Sequence, residues 1–507
     1  MRYFRTLKPN RVIKYLANFT YIKRKYIPMK FEPVIGLEVH VELATESKMF
    51  CGCPVVDSVE AEPNIAVCPV CSGMPGALPV ANERAVEYAM RVGMALGCKI
   101  EPFSIFARKN YFYPDLPKGY QISQFEEPLA TNGEILIETA GGEKIIRVLR
   151  AHLEEDAGKL THINDASLVD LNRAGVPLLE IVSQPDMHSA AEARAYAENL
   201  RNILRYLGVN SGDMEKGVIR FEANTSVRPV GTEKLGTRTE VKNLNSFRSM
   251  EDAINYEIAR QSKIIEEGGE VDQVTMGWDE AKGETYTMRG KEDSHDYRYF
   301  PEPDLPPLKV SDAWRERVHA ELPELPRAKF ERFLAEFNLS EYDAQVLVAD
   351  KAIADYFESA LEKSTEKATP KMLANWMTGE LFALMNQAEI GINDIKVTPA
   401  ALAELITLVA EGEINKKTAK EVLAEVFKSG KSPKAIVKEG GLGQVSDSEL
   451  IAGLVSTVIN AHPDEVTSYR SGKEGVANWL FGQVMREARG RANPQILREE
   501  LMRQLAE

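Results

Sequence analysis

Alternating polar and apolar positions, interrupted by Gly and Pro, characterise the chain from residue 30 to about residue 310. The sequence Glu38-Val-His40-Val-Glu42 places its three polar side chains on one face of a predicted strand. Glu180 lies at the centre of another short apolar run, Leu-Leu-Glu-Ile-Val, with turn residues on both sides. Short strands of this kind, mixed with a few helices, predict an α+β domain.

The segment that contains Glu180 spans residues 170–185 and reads D-L-N-R-A-G-V-P-L-L-E-I-V-S-Q-P. Burying an unpaired carboxylate is costly, so Glu180 should meet a metal, a base or a hydrogen-bond donor. The alternative is an edge strand from which Glu180 points into water. The segment by itself does not separate these two interpretations.

Helical periodicity replaces the alternating pattern after Pro323 and Pro326. One apolar helical face is formed by Ile414, Val422, Leu423, Val426 and Phe427. Residues 446–449, Ser-Asp-Ser-Glu, form a predicted capping box before a further apolar face. The predicted segments are an extension over 1–29, an α+β domain over 30–322, a helical domain over 323–398 and a helical tail over 399–507.

The composition is that of a globular protein with an acidic body. The 507 residues carry a formal net charge of −14, although the first 29 residues hold eight Lys or Arg and no Asp or Glu. Because that basic segment also lacks Ser, we favour an extension outside the fold over an organelle transit peptide. Any contact with nucleic acid must be local, since the bulk charge of the body is repulsive.

Cysteine content and hydropathy bear on the compartment. The sequence contains no run of about 18 uncharged apolar residues, so it predicts no membrane span. Five cysteines, four of them clustered, indicate a reducing compartment rather than a disulfide scaffold. We expect a cytoplasmic protein, or an organellar one if the basic extension is a transit peptide.

The clustered cysteines have the spacing of a metal site. Cys51-x-Cys53 and Cys68-x-x-Cys71 are two close pairs on turns rich in Gly and Pro, separated by 14 residues. Four thiolates can close a tetrahedral zinc site, which would be structural because no coordination position stays open. The alternative is buried cysteines without a ligand. Cys98 stands apart and is expected in the core.

Three acidic clusters in the α+β domain contain side chains that suit a divalent cation. Glu38 and His40 share a strand face, residues 152–156 read His-Leu-Glu-Glu-Asp, and Glu180 is the third candidate. Magnesium prefers a few carboxylates and retains waters that phosphate oxygens can replace. Each cluster alone is more often a solvated surface, but three in one domain favour a metal site.

Six characteristic blocks of sequence occur in order between residues 34 and 308. The blocks are V-I-G-L-E-V-H-V-E-L (34–43), Y-F-Y-P-D-L-P-K-G-Y-Q-I-S-Q (111–124), H-L-E-E-D-A-G-K (152–159), D-L-N-R-A-G-V-P-L-L-E-I-V-S-Q-P (170–185), G-T-R-T-E-V-K-N-L-N-S-F-R (236–248) and H-D-Y-R-Y-F-P-E-P-D-L-P-P-L (295–308). Together they resemble GatB, the B subunit of the aspartyl/glutamyl-tRNA amidotransferases, and the resemblance runs from about residue 29 to the end.

The resemblance implies an enzyme subunit that works with two partners, GatA and GatC. GatA would hydrolyse glutamine and send ammonia to this chain. With ATP and magnesium, the chain would phosphorylate the side-chain carboxylate of Glu-tRNA(Gln) or Asp-tRNA(Asn), and ammonia would displace the phosphate. The implied fold is a catalytic cradle domain over 30–322, a helical domain and a helical tail that contacts tRNA.

The resemblance also implies roles for individual residues. His40, Glu155 and Glu180 are the expected magnesium ligands, with Glu38 and Glu154 as alternates. Because neighbouring residues of a strand face opposite sides, only one of Glu154 and Glu155 should reach the metal. Glu155 and Glu180 are therefore also the expected catalytic carboxylates.

Further roles concern phosphate, ammonia and tRNA. Lys242 is expected to be catalytic, and Arg220 and Asn243 to hold the ATP phosphates. The family positions associated with the ammonia route are Lys109, Tyr111, Asp115 and Lys118. The expected tRNA contacts in the tail are Arg486, Arg489 and Arg491, for which a solvated helix end is the alternative.

One block departs from the family pattern. Phe221-Glu222 stands where Cys-Asp is usual, so Glu222 receives no role. The competing hypothesis is a non-catalytic, zinc-containing tRNA-binding scaffold, which would not need the acidic-face residues Glu38, His40, Glu155 and Glu180. The related GatE-type subunit carries a large insert for which there is no room between the blocks. The preference for Glu-tRNA(Gln) or Asp-tRNA(Asn) stays open.

Overall fold

The computed structural model of the chain describes residues 31–289, 296–444, 448–488 and 492–506. It has an N-terminal domain of mixed strands and helices and an all-helical C-terminal region, so the predicted α+β and all-α fold classes are confirmed. The predicted extension over 1–29 lies outside the described residues. Within them, no helix has the length and apolarity that a membrane span requires.

The strands of the described residues belong to the N-terminal domain. They are β1 (Phe31–Glu42), β2 (Lys99–Ile100), β3 (Phe103–Ser104), β4 (Phe106–Asn110), β5 (Tyr120–Gln124), β6 (Ala130–Thr139), β7 (Gly142–Glu155), β8 (Lys159–Ile163), β9 (Ala166–Asp170), β10 (Pro177–Ser183), β11 (Ile219–Pro229), β12 (Thr239–Leu244), β13 (Thr275–Asp279), β14 (Glu284–Arg289), β15 (Phe300–Pro301) and β16 (Leu308–Lys309).

Among the described residues, helices α1 to α4 belong to the N-terminal domain with the strands, and the later helices form the C-terminal region. They are α1 (Glu83–Ala95), α2 (Ala190–Tyr206), α3 (Phe247–Glu266), α4 (Asp312–Ala320), α5 (Pro326–Phe337), α6 (Glu341–Val348), α7 (Lys351–Glu362), α8 (Pro370–Asn375), a π-helical segment (Trp376–Leu381), α9 (Phe382–Ala388), α10 (Pro399–Ala410), α11 (Lys416–Ser429), α12 (Pro433–Glu439), α13 (Ser448–Ala461), α14 (Pro463–Arg470), α15 (Gly475–Glu487) and α16 (Pro494–Ala506).

A large, mostly antiparallel sheet organises the N-terminal domain. Its strand order is β14-β13-β12-β11-β1-β10-β7-β5-β4-β15, and β6 joins it by pairing with β7 and β2. The central strand β1 pairs antiparallel with both β10 and β11. Because antiparallel pairing aligns residues across strands, side chains from β7, β10, β1 and β11 share rows on each face of the sheet.

Alternation along β1 separates the two faces of this sheet. Leu37, Val39 and Val41 are buried in the main hydrophobic core, which α1, α2 and α3 cover. The intervening residues Glu38 and His40 lie on the other face and are only half-buried. One face of β1 therefore supplies the core and the other supplies polar chemistry, as antiparallel sheets allow.

A β-bulge interrupts the pairing of β7 with β10. Val182 pairs with Arg150, whereas the next residue, Ser183, pairs with Val148, so β7 holds one extra residue at Leu149. On one side of the bulge Val148 is buried, and on the other side Ala151 is buried. The extra residue thus changes which members of the strand face the core.

The described residues of the helical region form two further cores. One extends from Phe333 to Ile436 and joins α10, α11 and α12 to the helices that precede them. The other extends from Ile451 to Leu505 and holds α13–α16 together. The first of these cores therefore crosses the predicted boundary at 398–399, because helices on both sides of it pack together.

A buried polar network fixes α3 against the sheet. The fully buried carboxylate of Glu257 accepts hydrogen bonds from Thr239 of β12 (2.7 Å), Thr285 of β14 (2.6 Å) and Arg260 (2.8 Å). Burial raises the pKa of Glu257, but the hydrogen bonds from Arg260, Thr285 and Thr239 outweigh it, so the pKa lies below its ordinary value. The charged form is thus the one that the fold stabilises.

We expect Glu257→Gln to lower the free energy of unfolding by about 2–3 kcal/mol at neutral pH, because hydrogen bonds to a buried charge are lost. A carboxylate whose pKa is lowered by folding stabilises the protein above its unfolded pKa, and this contribution is lost as the pH falls. The difference between variant and wild type should therefore shrink below the ordinary pKa of 4.5. Denaturant titrations across pH measure it.

The matched control is Glu198→Gln on α2, where the carboxylate pairs with Arg194 in a largely exposed position. Its cost should stay below about 0.5 kcal/mol, as for surface ion pairs in general. Equal costs for the two variants would contradict a special role for the Glu257 network.

Candidate functional site

A histidine and two carboxylates meet at the centre of the polar sheet face. His40 of β1 lies opposite Glu180 of β10, and Glu180 lies opposite His152 of β7. The Nε2 atom of His40 is 3.3 Å from Glu180 Oε2 and 3.6 Å from Glu154 Oε1. We call His40, Glu154 and Glu180 the His40 cluster; their ligand atoms lie within 4.8 Å of one another.

The His40 cluster has the donors that a divalent cation needs. Its imidazole and carboxylate oxygens are ligands that Mg²⁺ and similar ions accept. Glu154 is buried, and its Oε2 atom has no hydrogen-bond partner among the described residues. The Nδ1 atom of the neighbouring His152 is also buried and has no hydrogen-bond partner among the residues that the structure describes. Unsatisfied buried oxygens of this kind fit a site that completes itself with a metal.

The charges in the His40 cluster act on one another. Burial lowers the pKa of His40, but its contact with Glu180 and the charge of Glu222 raise it to about 9. Burial and the charge of Glu180 raise the pKa of Glu154 to about 7. Burial also raises the pKa of Glu180, yet His152 and His40 outweigh it and keep that pKa well below its usual range.

Glu154, and not Glu155, belongs to this cluster. Glu155 lies opposite Pro177 and follows the buried Leu153 in the alternation of β7, so it points away from the polar face. There it forms an ion pair with Lys118 and accepts a hydrogen bond of 2.9 Å from the backbone N–H of Ile122. The sequence analysis favoured Glu155 with Glu154 as an alternate, and in the structure it is Glu154 that lies beside His40 and Glu180.

A second group of carboxylates adjoins the His40 cluster. Glu38, Glu222 and Glu240 also bring their oxygens within 4.8 Å of one another. Lys242 Nζ is 2.6 Å from Glu222 and 3.4 Å from Glu240. Burial lowers the pKa of Lys242, but the charges of Glu222 and Glu240 outweigh burial and raise the pKa above its ordinary value. The ammonium therefore stays charged. Asn224 Nδ2 donates to Glu38 Oε1 at 2.9 Å.

Glu222 is a site residue to which the sequence analysis gave no role. It lies directly opposite Glu38 in the β1–β11 pairing, and its oxygen is 4.0 Å from His40 Nδ1. The polar alternation of Arg220, Glu222 and Asn224 along β11 carries the signal that could have found it. Glu222 stands where Asp is usual, so this position still places a carboxylate on the acidic face.

Two other predicted phosphate ligands occupy different surroundings. Arg220 donates to Asp156 at 2.8 Å and lies 3.2 Å from Glu42, so its guanidinium belongs to a buried ion network. Asn243 is exposed and adopts a left-handed backbone conformation with φ of 57°. Arg220 is thus held in place at the edge of the polar face, whereas Asn243 is open to a ligand.

The predicted ammonia-route residues divide between two locations. Lys109 Nζ lies over the rings of Tyr111 (5.8 Å) and Tyr297 (5.0 Å). Burial lowers the pKa of Lys109, but the charge of Glu154 and those of other nearby groups outweigh it and raise the pKa above its ordinary value. Lys118, by contrast, is paired with Glu155 at the other side of β7.

Asp115 is held by the backbone of the segment that follows β7. Its carbonyl accepts a hydrogen bond of 2.8 Å from the N–H of Gly158, just after β7. Burial raises the pKa of its carboxyl group. Tyr111 is fixed by donating its hydroxyl to Gln121 Oε1 at 3.1 Å.

The four clustered cysteines converge at one point, which we call the four-cysteine knuckle (Cys51, Cys53, Cys68 and Cys71). Their sulfurs lie within 4.8 Å of one another. Cys71 Sγ is 3.8 Å from Cys68 Sγ and 4.0 Å from Cys53 Sγ. Zinc–sulfur bonds of about 2.3 Å in a tetrahedron separate sulfurs by about 3.8 Å, so this spacing fits the metal. None of the five cysteines, all within the described residues, forms a disulfide.

The thiol of Cys71 is the one most readily ionised. Its hydrogen bond from Cys51 lowers its pKa, and despite burial the backbone N–H of Cys68 and the charge of Lys48 bring it to about 4. That N–H lies 3.1 Å from the sulfur. Burial raises the pKa of Cys53 to about 11. A cation would be needed to ionise all four thiols together.

The structure describes only part of the predicted tRNA patch. Arg486 is exposed near the end of α15 and lies 3.4 Å from Gln483 Oε1. Arg489 and Arg491 lie outside the described residues.

Two family matches cover most of the chain. The family described as "GatB/GatE catalytic domain" matches residues 33–316, and the family described as "GatB domain" matches residues 355–505. The acidic sheet face therefore lies within a region shared with a catalytic domain. By these matches, the chain is a protein with a GatB/GatE-type catalytic domain followed by a GatB domain.

Curated relatives agree with these matches. The B subunit of the aspartyl/glutamyl-tRNA(Asn/Gln) amidotransferase of Persephonella marina is 53% identical over 473 residues, which cover 93% of this chain and 99% of the relative. The proteins of the same name from Thermodesulfovibrio yellowstonii and Thermotoga maritima are each 51% identical, with 94% and 92% of this chain covered. The alignments span 100% and 98% of these relatives. The chain belongs to the GatB family of aspartyl/glutamyl-tRNA amidotransferases, which confirms the resemblance and the expectation of an amidotransferase.

Proposed function

We propose that this chain phosphorylates the side-chain carboxylate of Glu-tRNA(Gln), Asp-tRNA(Asn) or both at the expense of ATP, and then amidates it with ammonia. The observation that carries the proposal is the His40 cluster, at the centre of an otherwise structural sheet. A scaffold that only binds tRNA has no use for a buried carboxylate such as Glu154, whose Oε2 atom has no hydrogen-bond partner among the described residues. The names of the relatives, which include both tRNA types, support the choice of substrate.

The chemistry explains why such a site is needed. A carboxylate resists attack by ammonia because its leaving group would be oxide, whereas an acyl phosphate has a good leaving group. Phosphoryl transfer depends mainly on positioning and on neutralising charge, with little covalent chemistry for the protein. Side chains that hold phosphate oxygens close to the substrate carboxylate are therefore the main requirement.

His40, Glu154 and Glu180 would hold the magnesium ion, which when bound neutralises phosphate oxygens. Lys242 adds a fixed positive charge next to this cluster, and Asn243 can donate hydrogen bonds to phosphate. Arg220 positions Asp156 and Glu42 rather than contacting ATP directly. The second carboxylate group keeps Lys242 charged.

Ammonia would come from a glutaminase subunit, GatA, in a complex that also contains GatC. In this proposal ammonia approaches the His40 cluster past Lys109 and Tyr111, after passing Asp115 and Lys118. A closed polar passage there would keep water away from the acyl phosphate. We propose that these four residues form the route.

Glu154→Gln and Glu180→Gln should each lower amide formation by at least about a hundredfold, because each removes a charge that holds the metal. The assay is amide formation by the reconstituted complex, with ammonia as donor and each mischarged tRNA as substrate. ATP hydrolysis that depends on tRNA should fall in parallel.

Glu155→Gln provides the matched control for Glu154. It changes the neighbouring residue on the same strand but leaves the polar face intact, so its activity should stay well above that of Glu154→Gln. If Glu155→Gln were the more damaging change, the assignment of the metal ligand would have to be reversed. Wild-type complex that forms no amide with either tRNA would favour the scaffold hypothesis.

We further propose that the four-cysteine knuckle binds structural zinc. The purified chain should contain about one zinc ion, and Cys68→Ser should lose it because three thiolates hold the ion less tightly. Elemental analysis measures the metal content. Cys98→Ser is the control, since Cys98 is buried apart from the knuckle and its variant should keep the zinc. Zinc retained in Cys68→Ser would contradict the site.

We also propose that the tail contacts tRNA through Arg486, Arg489 and Arg491. Arg486→Glu should weaken tRNA binding and reduce the salt dependence of the affinity by about one unit of slope, because a phosphate contact is lost. Binding titrations at several salt concentrations provide the measurement. The control for charge reversal is Lys263→Glu, at an exposed position on α3 that is far from Arg486 in the sequence. Identical slopes for the two variants would remove Arg486 from the interface.

A further inference from the structure

Lys48 is a fully buried lysine beside the four-cysteine knuckle. Its ammonium donates to the carbonyl oxygen of Ala66 at 2.8 Å and to that of Leu171 at 3.1 Å. The same nitrogen lies 3.7 Å from Cys71 Sγ, within the range of an N–H···S hydrogen bond. An ammonium has three N–H donors, and these three contacts account for all of them.

The charge of this ammonium needs a partner, because burying an unpaired cation is very costly. Carbonyl oxygens offer dipoles but no charge. The thiolate of Cys71 offers a full negative charge within direct contact of the ammonium. Cys71 is therefore the anion that balances Lys48.

The metal site needs the same balance from its own side. A divalent ion held by four thiolates leaves two net negative charges in a mostly buried place. One adjacent ammonium removes one of them. Groups that contact a ligand without touching the metal are known to tune both affinity and electronic structure.

The two carbonyls come from different parts of the chain. Ala66 belongs to the loop between the two cysteine pairs, whereas Leu171 belongs to the segment that leads into β10 and Glu180. Gly175 of the same segment has a φ of 86°, and a Cβ atom there would lie 3.4 Å from Cys71 Cβ. Lys48 thus sits between the knuckle and the loop that precedes the strand of the His40 cluster.

We propose that Lys48 is the internal counter-ion of the four-cysteine knuckle and a positioning residue that ties the metal-loaded knuckle to the loop before β10. The inference rests on the metal proposed for the knuckle above. It assigns Lys48 an electrostatic role that packing alone does not provide.

Cobalt(II) substitution in the full chain tests the proposal. The positive charge of Lys48 stabilises the sulfur electrons, so Lys48→Met should move the thiolate-to-cobalt charge-transfer band to lower energy. The same variant should bind zinc at least about tenfold more weakly in competition with a chromophoric chelator. Cobalt bound at the carboxylate clusters does not contribute, because that band requires sulfur ligands.

Asn172→Ala is the control for a merely structural effect. Asn172 docks the same two segments by accepting from Ala66 N–H at 3.0 Å and donating to the Glu62 carbonyl at 2.7 Å, but it carries no charge. It should leave the band energy unchanged. If Lys48→Met does not fold, Lys48→Gln, which keeps N–H donors without the charge, should show the same band shift.

The outcomes separate the two proposals. A wild-type chain that binds neither zinc nor cobalt through sulfur would overturn the metal assignment of the knuckle. Wild-type binding with an unchanged band and affinity in the Lys48 variant would overturn only the role of Lys48. An equal shift in Asn172→Ala would reduce Lys48 to a structural support.

Discussion

The antiparallel pairing of β11, β1 and β10 makes one geometric constraint govern both stability and chemistry. Along each strand, successive side chains face opposite sides of the sheet. Leu37, Val39 and Val41 therefore enter the core from the same strand that presents Glu38 and His40 to the other face. Because three strands keep one register, their polar residues meet in rows, and the site is assembled by the same bonds that assemble the sheet.

Such a concentration of carboxylates is tolerable only because it is compensated. Lys109 and Lys242 stand at two borders of the acidic face, and His40 carries a raised pKa within it. Interactions between these charges are strong because the groups are largely shielded from water. The site is therefore an electrostatic unit in which positive groups balance the carboxylates.

Much of this arrangement could be predicted from the sequence. Local alternation was sufficient to place Glu38 and His40 on one face and to single out Glu180. It could not decide between Glu154 and Glu155, because that choice depends on the register of β7 against β10, which is a long-range property. The local alternation along β11 marks Glu222 as polar, but its position opposite Glu38 depends on the strand register and could not be predicted from the sequence. In the helical region, periodicity identifies apolar faces but not their partners, so a core that crosses residues 398–399 was not foreseen.

The bulge at Leu149 has a consequence for how this domain can vary. On one side of it β7 forms a long hairpin with β6, and on the other side it carries His152 and Glu154. The extra residue shifts the alternation of core-facing and outward-facing side chains by one position. Each half of β7 therefore buries its own set of apolar residues. The bulge thus lets the outer half of β7 bury Ile146 and Val148 while the half that carries His152 and Glu154 keeps those two side chains on the polar face.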